Sequence, residues 1–352
     1  MEWYPLRLTT PVRMYISGGR AIVETLGKKG LPAWRVAETW EVSDYDVAPA
    51  TVRNGALAGK SLREVTLEHP DELMGRGWRG DEFPLLAKFI DGAGMLPVHL
   101  HADDEAAREF EGQPHGKTEA WHILAAASGA TALVGLREGV DKATLREALL
   151  RQDYDAVMRR LPVHAGDTIY VPGGTLHAFG PDTLVYEVQQ TSDVGQSAQP
   201  YDIWDGRAFE PEEWHRNIDM LLAEIRMEIR PSFTPGLRVD AGGDFWRTFC
   251  AASPYFALER WRIGSVAPAR HRFETALAVS NIGLPVTVTS GSWSETLDRA
   301  ESLVLPAALG EVEISGPGDL LVAYLPDLEL DVVQPLLAAG YSREVIATLG
   351  DV

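Results

Sequence analysis

The sequence predicts a mainly β fold with some α, in two β-rich domains with a helical segment inserted between them. Three observations carry this. Residues 1–60 are rich in β-branched residues, Gly and Pro, and strand-like runs recur at 83–90, 118–124, 163–172 and 184–190. Residues 245–326 return to the same texture, which suggests a second β-sandwich or barrel. Between them Pro211 to Glu228 is a long helical pattern with Trp214, Ile218, Met220, Leu221 and Ile225. At 352 residues the chain is too long for one ordinary core. The expected organisation is a first domain over 1–208, a helical segment and linker over 209–243, a second β domain over 244–326 and a helical tail over 327–352.

In chain order, Ala37-Glu-Thr-Trp-Glu-Val-Ser43 alternates like a strand and puts Glu38, Trp40 and Val42 on one face. Ser61-Leu-Arg-Glu64 is a capping box that opens a helix ending near Pro70. Phe83 to Ile90 reads as an apolar strand, and Asp91 to Gly94 turns it into the next. Thr118 to Leu124 is a strand with Glu119, Trp121 and Ile123 on one face, so His122 faces the other way as surface or core filler. Asp141 to Leu161 reads as helical, with a capping box at Thr144 and Glu147. Leu184 to Gln190 is a strand with Glu187 and Gln189 on one face. Pro231 to Gly243 reads as linker, and Pro335 to Leu349 as one or two short helices.

The chain carries 51 acidic and 32 basic side chains, a formal charge of -19, which disfavours nucleic acid or an anionic membrane as partner. Its one cysteine, Cys250, lies among apolar neighbours and forms no intramolecular disulfide. With no signal-peptide pattern and no long apolar run, the expected location is cytoplasmic.

The chemistry concentrates in Leu96-Pro-Val-His-Leu-His-Ala-Asp-Asp104, Gly116-Lys-Thr-Glu119 and Gly173-Gly-Thr-Leu-His177. On a strand, His99 and His101 point to the same face, so two imidazoles project into one space. Glu119 and His177 are the expected third and fourth ligands of a divalent ion. The paired glycines let the backbone before His177 pack closely.

These motifs resemble the type I mannose-6-phosphate isomerases, metal-dependent enzymes of the cupin superfamily. The resemblance runs along most of residues 8–326. It rests on Glu38-x-Trp40, Phe83-Pro-Leu-Leu-x-Lys88, His101-x-Asp-Asp104, Gly116-Lys-Thr-Glu119, Val171-Pro-x-Gly-Thr-Leu-His-Ala178 and Glu187-x-Gln-Gln-x-Ser-Asp193. It implies two jelly-roll, RmlC-like cupin barrels and a metal held at His99, His101, Glu119 and His177, with His99 standing where the family has Gln. Three imidazoles and a carboxylate suit zinc, and also Mn, Fe, Co or Ni.

The activity implied is aldose–ketose isomerisation, mannose 6-phosphate to fructose 6-phosphate, through a cis-enediol. Glu187 and Glu38 are then candidates for the carboxylate that carries the proton, and Lys117 for catalysis and phosphate binding. Lys117 is expected to point away along the start of its strand. Gln189 and Arg207 are expected to contact substrate. Two departures weaken anion handling: Pro97 stands where the family has Ser, and Ser197 where it has an Arg. A non-phosphorylated or otherwise altered sugar is therefore in view. The other readings are a non-catalytic sugar-binding or regulatory cupin that keeps the metal site, and a cupin oxygenase. The partner expected is a small-molecule sugar or sugar phosphate, with the chain a monomer or homodimer.

Overall fold

The structure is a computed structural model and describes residues 1–202, 205–265 and 267–352. It is mainly β, with antiparallel sheets and short helices. In the first half a six-stranded sheet runs in the order Val12–Arg13, Glu38–Val42, Leu85–Gly92, Thr183–Gln190, Glu119–Ala126, Thr168–Val171. A five-stranded sheet runs Gln196–Ser197, His99–Leu100, Leu176–Gly180, Thr131–Leu136, Met158–Pro162. The second half repeats the layout with a six-stranded and a four-stranded sheet.

The period of two sorts each strand between cores. On Thr183–Gln190, Leu184, Tyr186 and Val188 join a core shared with Phe256, Leu258, Ala278 and Leu321 of the second half. Val185 points the other way, toward Ile90, Trp121, Ile123 and Phe179 inside the first half. Glu187 shares that inner face, opposite Lys88 on one neighbour and Trp121 on the other.

The capping box forms as expected: Ser61 accepts from the Glu64 backbone N–H, and Glu64 accepts from the Ser61 N–H. Three expectations are corrected. The stretch 141–161 is not one helix but Lys142–Leu150, Tyr154–Val157 and then a strand, Met158–Pro162. Its cap is Asp141, which accepts from the Thr144 N–H, because Asp141 occupies the extended position before the first turn. Part of the expected linker, Leu237–Gly242, is a strand paired with Phe245–Ala252. The inserted helix, Pro211–Glu224, lays Ile218 and Leu221 on Val98, Leu100 and Leu176 of the five-stranded sheet. No described helix is long and apolar enough to cross a membrane.

His122 is core filler. It is buried between the halves, with Nδ1 2.8 Å from Thr168 Oγ1. Burial, and then Arg260, lower its pKa to about 3. Between the ordinary value near 6.5 and about 3, the unfolded chain holds a proton that the folded ring does not. Stability should thus fall as the pH drops through that window, by about 1.4 kcal/mol per pH unit for this ring. His122→Gln should flatten that slope in urea titrations at pH 7, 6 and 5. An unchanged slope would rule His122 out as the source.

Candidate metal centre and active site

The two sheets of the first half face each other across a cavity of about 170 Å³. His99 and His177 come from one sheet, and Glu38, Glu119 and Glu187 from the other. His99 and His177 are direct antiparallel partners on adjacent strands, and His101 follows two residues after His99 on the same side. Glu38, Lys88, Glu119, Trp121 and Glu187 project from the six-stranded sheet.

The ring nitrogens of His99, His101 and His177 lie within 4.8 Å of one another. Each Nδ1 is fixed by a backbone carbonyl: Pro97 at 2.7 Å, Val194 at 2.6 Å and Thr175 at 2.8 Å. A carbonyl only accepts, so each Nδ1 carries the proton and each Nε2 is left as an acceptor, that of His101 taking a hydrogen bond from Lys117 Nζ at 2.7 Å. The Nε2 atoms of His99 and His177 are 2.9 Å apart, two acceptors with no proton between them. Nitrogens sharing one tetrahedral ion at ordinary bond lengths would sit about 3.3 Å apart. Burial holds all three rings below the ordinary histidine value, His177 at about 3 and His99 and His101 well below it, so they are neutral and ligand-competent.

Glu119 faces this trio. Its Oε1 is 3.3 Å from His177 Nε2, and its Oε2 is 3.7 Å from His101 Nε2. Oε2 is buried without a hydrogen bond, although Lys117 Nζ lies 3.0 Å away. Four carboxyl groups, Glu38, Glu119, Glu187 and Asp193, line the cavity with only two ammonium groups, Lys88 and Lys117, a formal excess of two acidic groups. Two facing Nε2 acceptors with no proton between them, a third Nε2 and a carboxylate beside them, and that excess of acidic groups together fit a divalent cation.

Glu187 stands beside Glu119. Trp121 Nε1 donates to both, at 2.8 Å to Glu119 Oε1 and 3.0 Å to Glu187 Oε2. Glu187 Oε1 is buried with no hydrogen bond, 3.6 Å from Lys88 Nζ and 3.8 Å from Lys117 Nζ. Burial and the Glu119 charge raise its pKa above the ordinary carboxylate value. Glu38 is raised too, chiefly by burial, and its Oε2 accepts from Trp40 Nε1 at 2.6 Å.

Three expectations about individual residues are corrected. Lys117 does not point away: it is buried, with Nζ 2.7 Å from His101 Nε2, because two residues before Glu119 is the same side of the strand. Gln189 shares the face of Glu187 but does not line the cavity. Its amide folds back to donate to the carbonyls of Gln190 and Ser192, holding the turn that delivers Asp193. Arg207 lies outside, exposed, stacked 5.3 Å over the Phe209 ring and 3.7 Å from Glu213.

Two cavity residues were not picked out as site residues. Lys88 is 2% exposed and sits 3.5 to 3.6 Å from Asp193, Glu38 and Glu187. Burial opposes its charge, but those carboxylates outweigh it and hold the ammonium pKa well above its ordinary value. A lysine in the middle of Leu85-Leu-Ala-Lys-Phe-Ile90 was the available signal. Asp193 is the second: burial would raise its carboxyl, but Lys88 and Lys117 hold it below the ordinary value.

No protein-family model matches the chain. A mannose-6-phosphate isomerase of Streptococcus mutans is 30% identical over 325 residues, covering 91% of this chain and 98% of that one. One from Bacillus subtilis is 30% identical over 327 residues, covering 92% of this chain and 100% of that one. The crystal structure of the mannose 6-phosphate isomerase from Bacillus subtilis superposes with a TM-score of 0.82 at 28% identity, over 91% of this chain and 99% of that one. At this identity over nearly the whole length, the chain belongs to the mannose-6-phosphate isomerase family.

Proposed function

We propose that the protein is a metal-dependent aldose–ketose isomerase of the mannose-6-phosphate isomerase type. Family membership supports this reading. The observation that carries it is Glu187, a carboxylate buried beside Glu119 with its pKa raised, set next to three imidazoles whose Nε2 atoms face one point. A buried carboxylate crowded by a second one has its charged form destabilised, which suits a group that picks up and returns a proton and serves no purpose in a site that only binds. A non-catalytic sugar-binding cupin is therefore not favoured.

In this reading His99, His101, Glu119 and His177 hold a divalent cation, with zinc the first choice for three neutral imidazoles and a carboxylate. Such an ion supplies Lewis acidity toward the sugar's oxygens at C1 and C2. Glu187 takes the C2 proton of the open-chain aldose and returns it to C1 of the cis-enediol. Lys117 moves the proton between O1 and O2. Glu38 and Asp193, anchored by Lys88, accept from sugar hydroxyls. Trp121 and Phe179 wall the cavity and exclude water. Residues 1–208 form the metal-binding cupin barrel and 244–326 a second barrel without metal, in the cytoplasm.

The test is ketose formation from C2-deuterated aldoses by metal-loaded protein. Conversion should come with a primary isotope effect and partial transfer of deuterium to C1. Failure to convert mannose 6-phosphate, mannose and lyxose with Zn, Mn, Fe, Co or Ni would overturn the reading.

A further inference from the structure

We infer that Tyr255, supplied by the second half of the chain, is a positioning residue for the cavity of the first half; its effect on turnover rests on the isomerase reading above. Tyr255 sits in the turn between the strands Phe245–Ala252 and Ala257–Ile263. Ser253 Oγ accepts from the backbone N–H groups of Tyr255 and Phe256, both at 3.2 Å, and so fixes the turn. Phe256 is buried in the core between the halves, its ring centroid 6.2 Å from that of Tyr170. From this anchored turn the Tyr255 hydroxyl crosses to the first half and donates to Asp104 Oδ2 at 2.9 Å.

Asp104 carries that contact into the site. Its other oxygen, Oδ1, accepts from the Gly116 backbone N–H at 2.8 Å and from Gln190 Nε2 at 2.9 Å. Gln190 Oε1 accepts in turn from the Thr118 N–H at 2.8 Å. Lys117 lies between these two held amides, and its own N–H donates to the Ala102 carbonyl at 2.9 Å. One carboxylate thus ties together the segment after His101, the segment leading into Glu119 and the strand that carries Glu187. The packing leaves no slack: a Cβ at Gly116 would lie 2.4 Å from the Asp103 carbonyl carbon and 2.5 Å from the Ala102 oxygen. Burial opposes the charge on Asp104, but the bonds from Gln190, Gly116 and Tyr255 outweigh it and hold the carboxyl below its ordinary value. Hydrogen bonds to an ionised acceptor are the strong ones. A carboxylate is planar, so its two oxygens turn together. Without the Tyr255 hydroxyl, Oδ2 turns toward water and takes Oδ1 away from Gly116 and Gln190. A second bond of the same kind between the halves does not lead to the cavity. Tyr170 donates to Asp351 Oδ2 at 2.7 Å, beside the bridge from Gly350 to Ala252, and Tyr170 faces the shared core.

Tyr255→Phe keeps the ring and removes only the hydroxyl. In zinc-loaded protein acting on mannose 6-phosphate, kcat per bound zinc is expected to fall about tenfold with KM changed less than about twofold, the lower end of the loss when a bond supporting a site residue is removed. Asp104→Asn combined with Tyr255→Phe should lower kcat no further than Asp104→Asn alone, because both act through one carboxylate. Tyr170→Phe, the matched loss of a bond between the halves, should leave kcat within about twofold of wild type. An unchanged kcat in Tyr255→Phe, an equal loss in Tyr170→Phe, or additive losses in the double variant would each overturn the inference and leave the isomerase standing. Amide hydrogen exchange reads the same coupling without turnover: residues 116–119 should exchange about tenfold faster in Tyr255→Phe and not in Tyr170→Phe. Should the wild-type protein convert no sugar, the isomerase reading fails and exchange decides alone. Faster exchange confined to Tyr255→Phe supports the positioning role, and unchanged exchange overturns it.

Discussion

Glu187→Gln should lower kcat by about 10³-fold, within the range of removing a positioned general base, while KM changes little and bound metal stays at the wild-type stoichiometry. The amide keeps the size of the side chain and can still accept from Trp121, now 3.0 Å from Glu187 Oε2. What it cannot do is hold the C2 proton. The substitution also removes a negative charge from beside Glu119, so folding stability should not fall. A drop confined to KM would place Glu187 in binding instead. An unchanged kcat would move the proton transfer to Glu38. The comparison is sharpened by Glu38→Gln, which lies across Lys88, 3.6 Å from its Nζ, and should cost less in kcat and more in KM.

His177→Ala should reduce metal affinity by about 100-fold or more, a loss at least as large as that from disturbing a ligand's supporting partner. It removes one lone pair of the trio and leaves His99 Nε2 without its close neighbour at 2.9 Å. Metal content after dialysis and kcat should fall together. Chelation of the wild-type protein should have the same sign in a thermal melt: at 100-fold excess over Kd a resident ion contributes about 2.7 kcal/mol. Melting that is insensitive to chelator and to added zinc, with no metal in the purified protein, would overturn the metal centre. The variant should still fold, because Trp121 and Phe179 pack against each other beside it with ring centroids 5.0 Å apart.

Both predictions turn on residues visible in the sequence, and the reason is local. Side chains two apart on a strand share a face whatever the strand packs against. His99 with His101, and Glu119 with Trp121, could therefore be paired from their spacing alone. The same rule places Lys117 on the side of Glu119; the contrary expectation did not carry it back to the start of the strand. The rule also put Gln189 beside Glu187, correctly as to face but not as to function. A glutamine amide has several donors and acceptors to satisfy once buried, and the carbonyls of Gln190 and Ser192 lay closer than the cavity. Arg207 carried no local rule, being in a loop beyond the last strand of the site.

By itself the sequence determined the β-rich character, the capping box at Ser61, the faces of the strands and the residue types able to bind a cation. Only the tertiary structure decided which faces meet. That His99 pairs with His177, and Glu187 with Lys88 and Trp121, is set by antiparallel register between strands up to about a hundred residues apart. Register follows from burial of whole sheet faces, and a slip of one residue would turn every ligand outward. The charge state of the cavity was decided there too, since Lys88 and Asp193 become site residues only when four strands bring their carboxylate and ammonium neighbours within 4 Å.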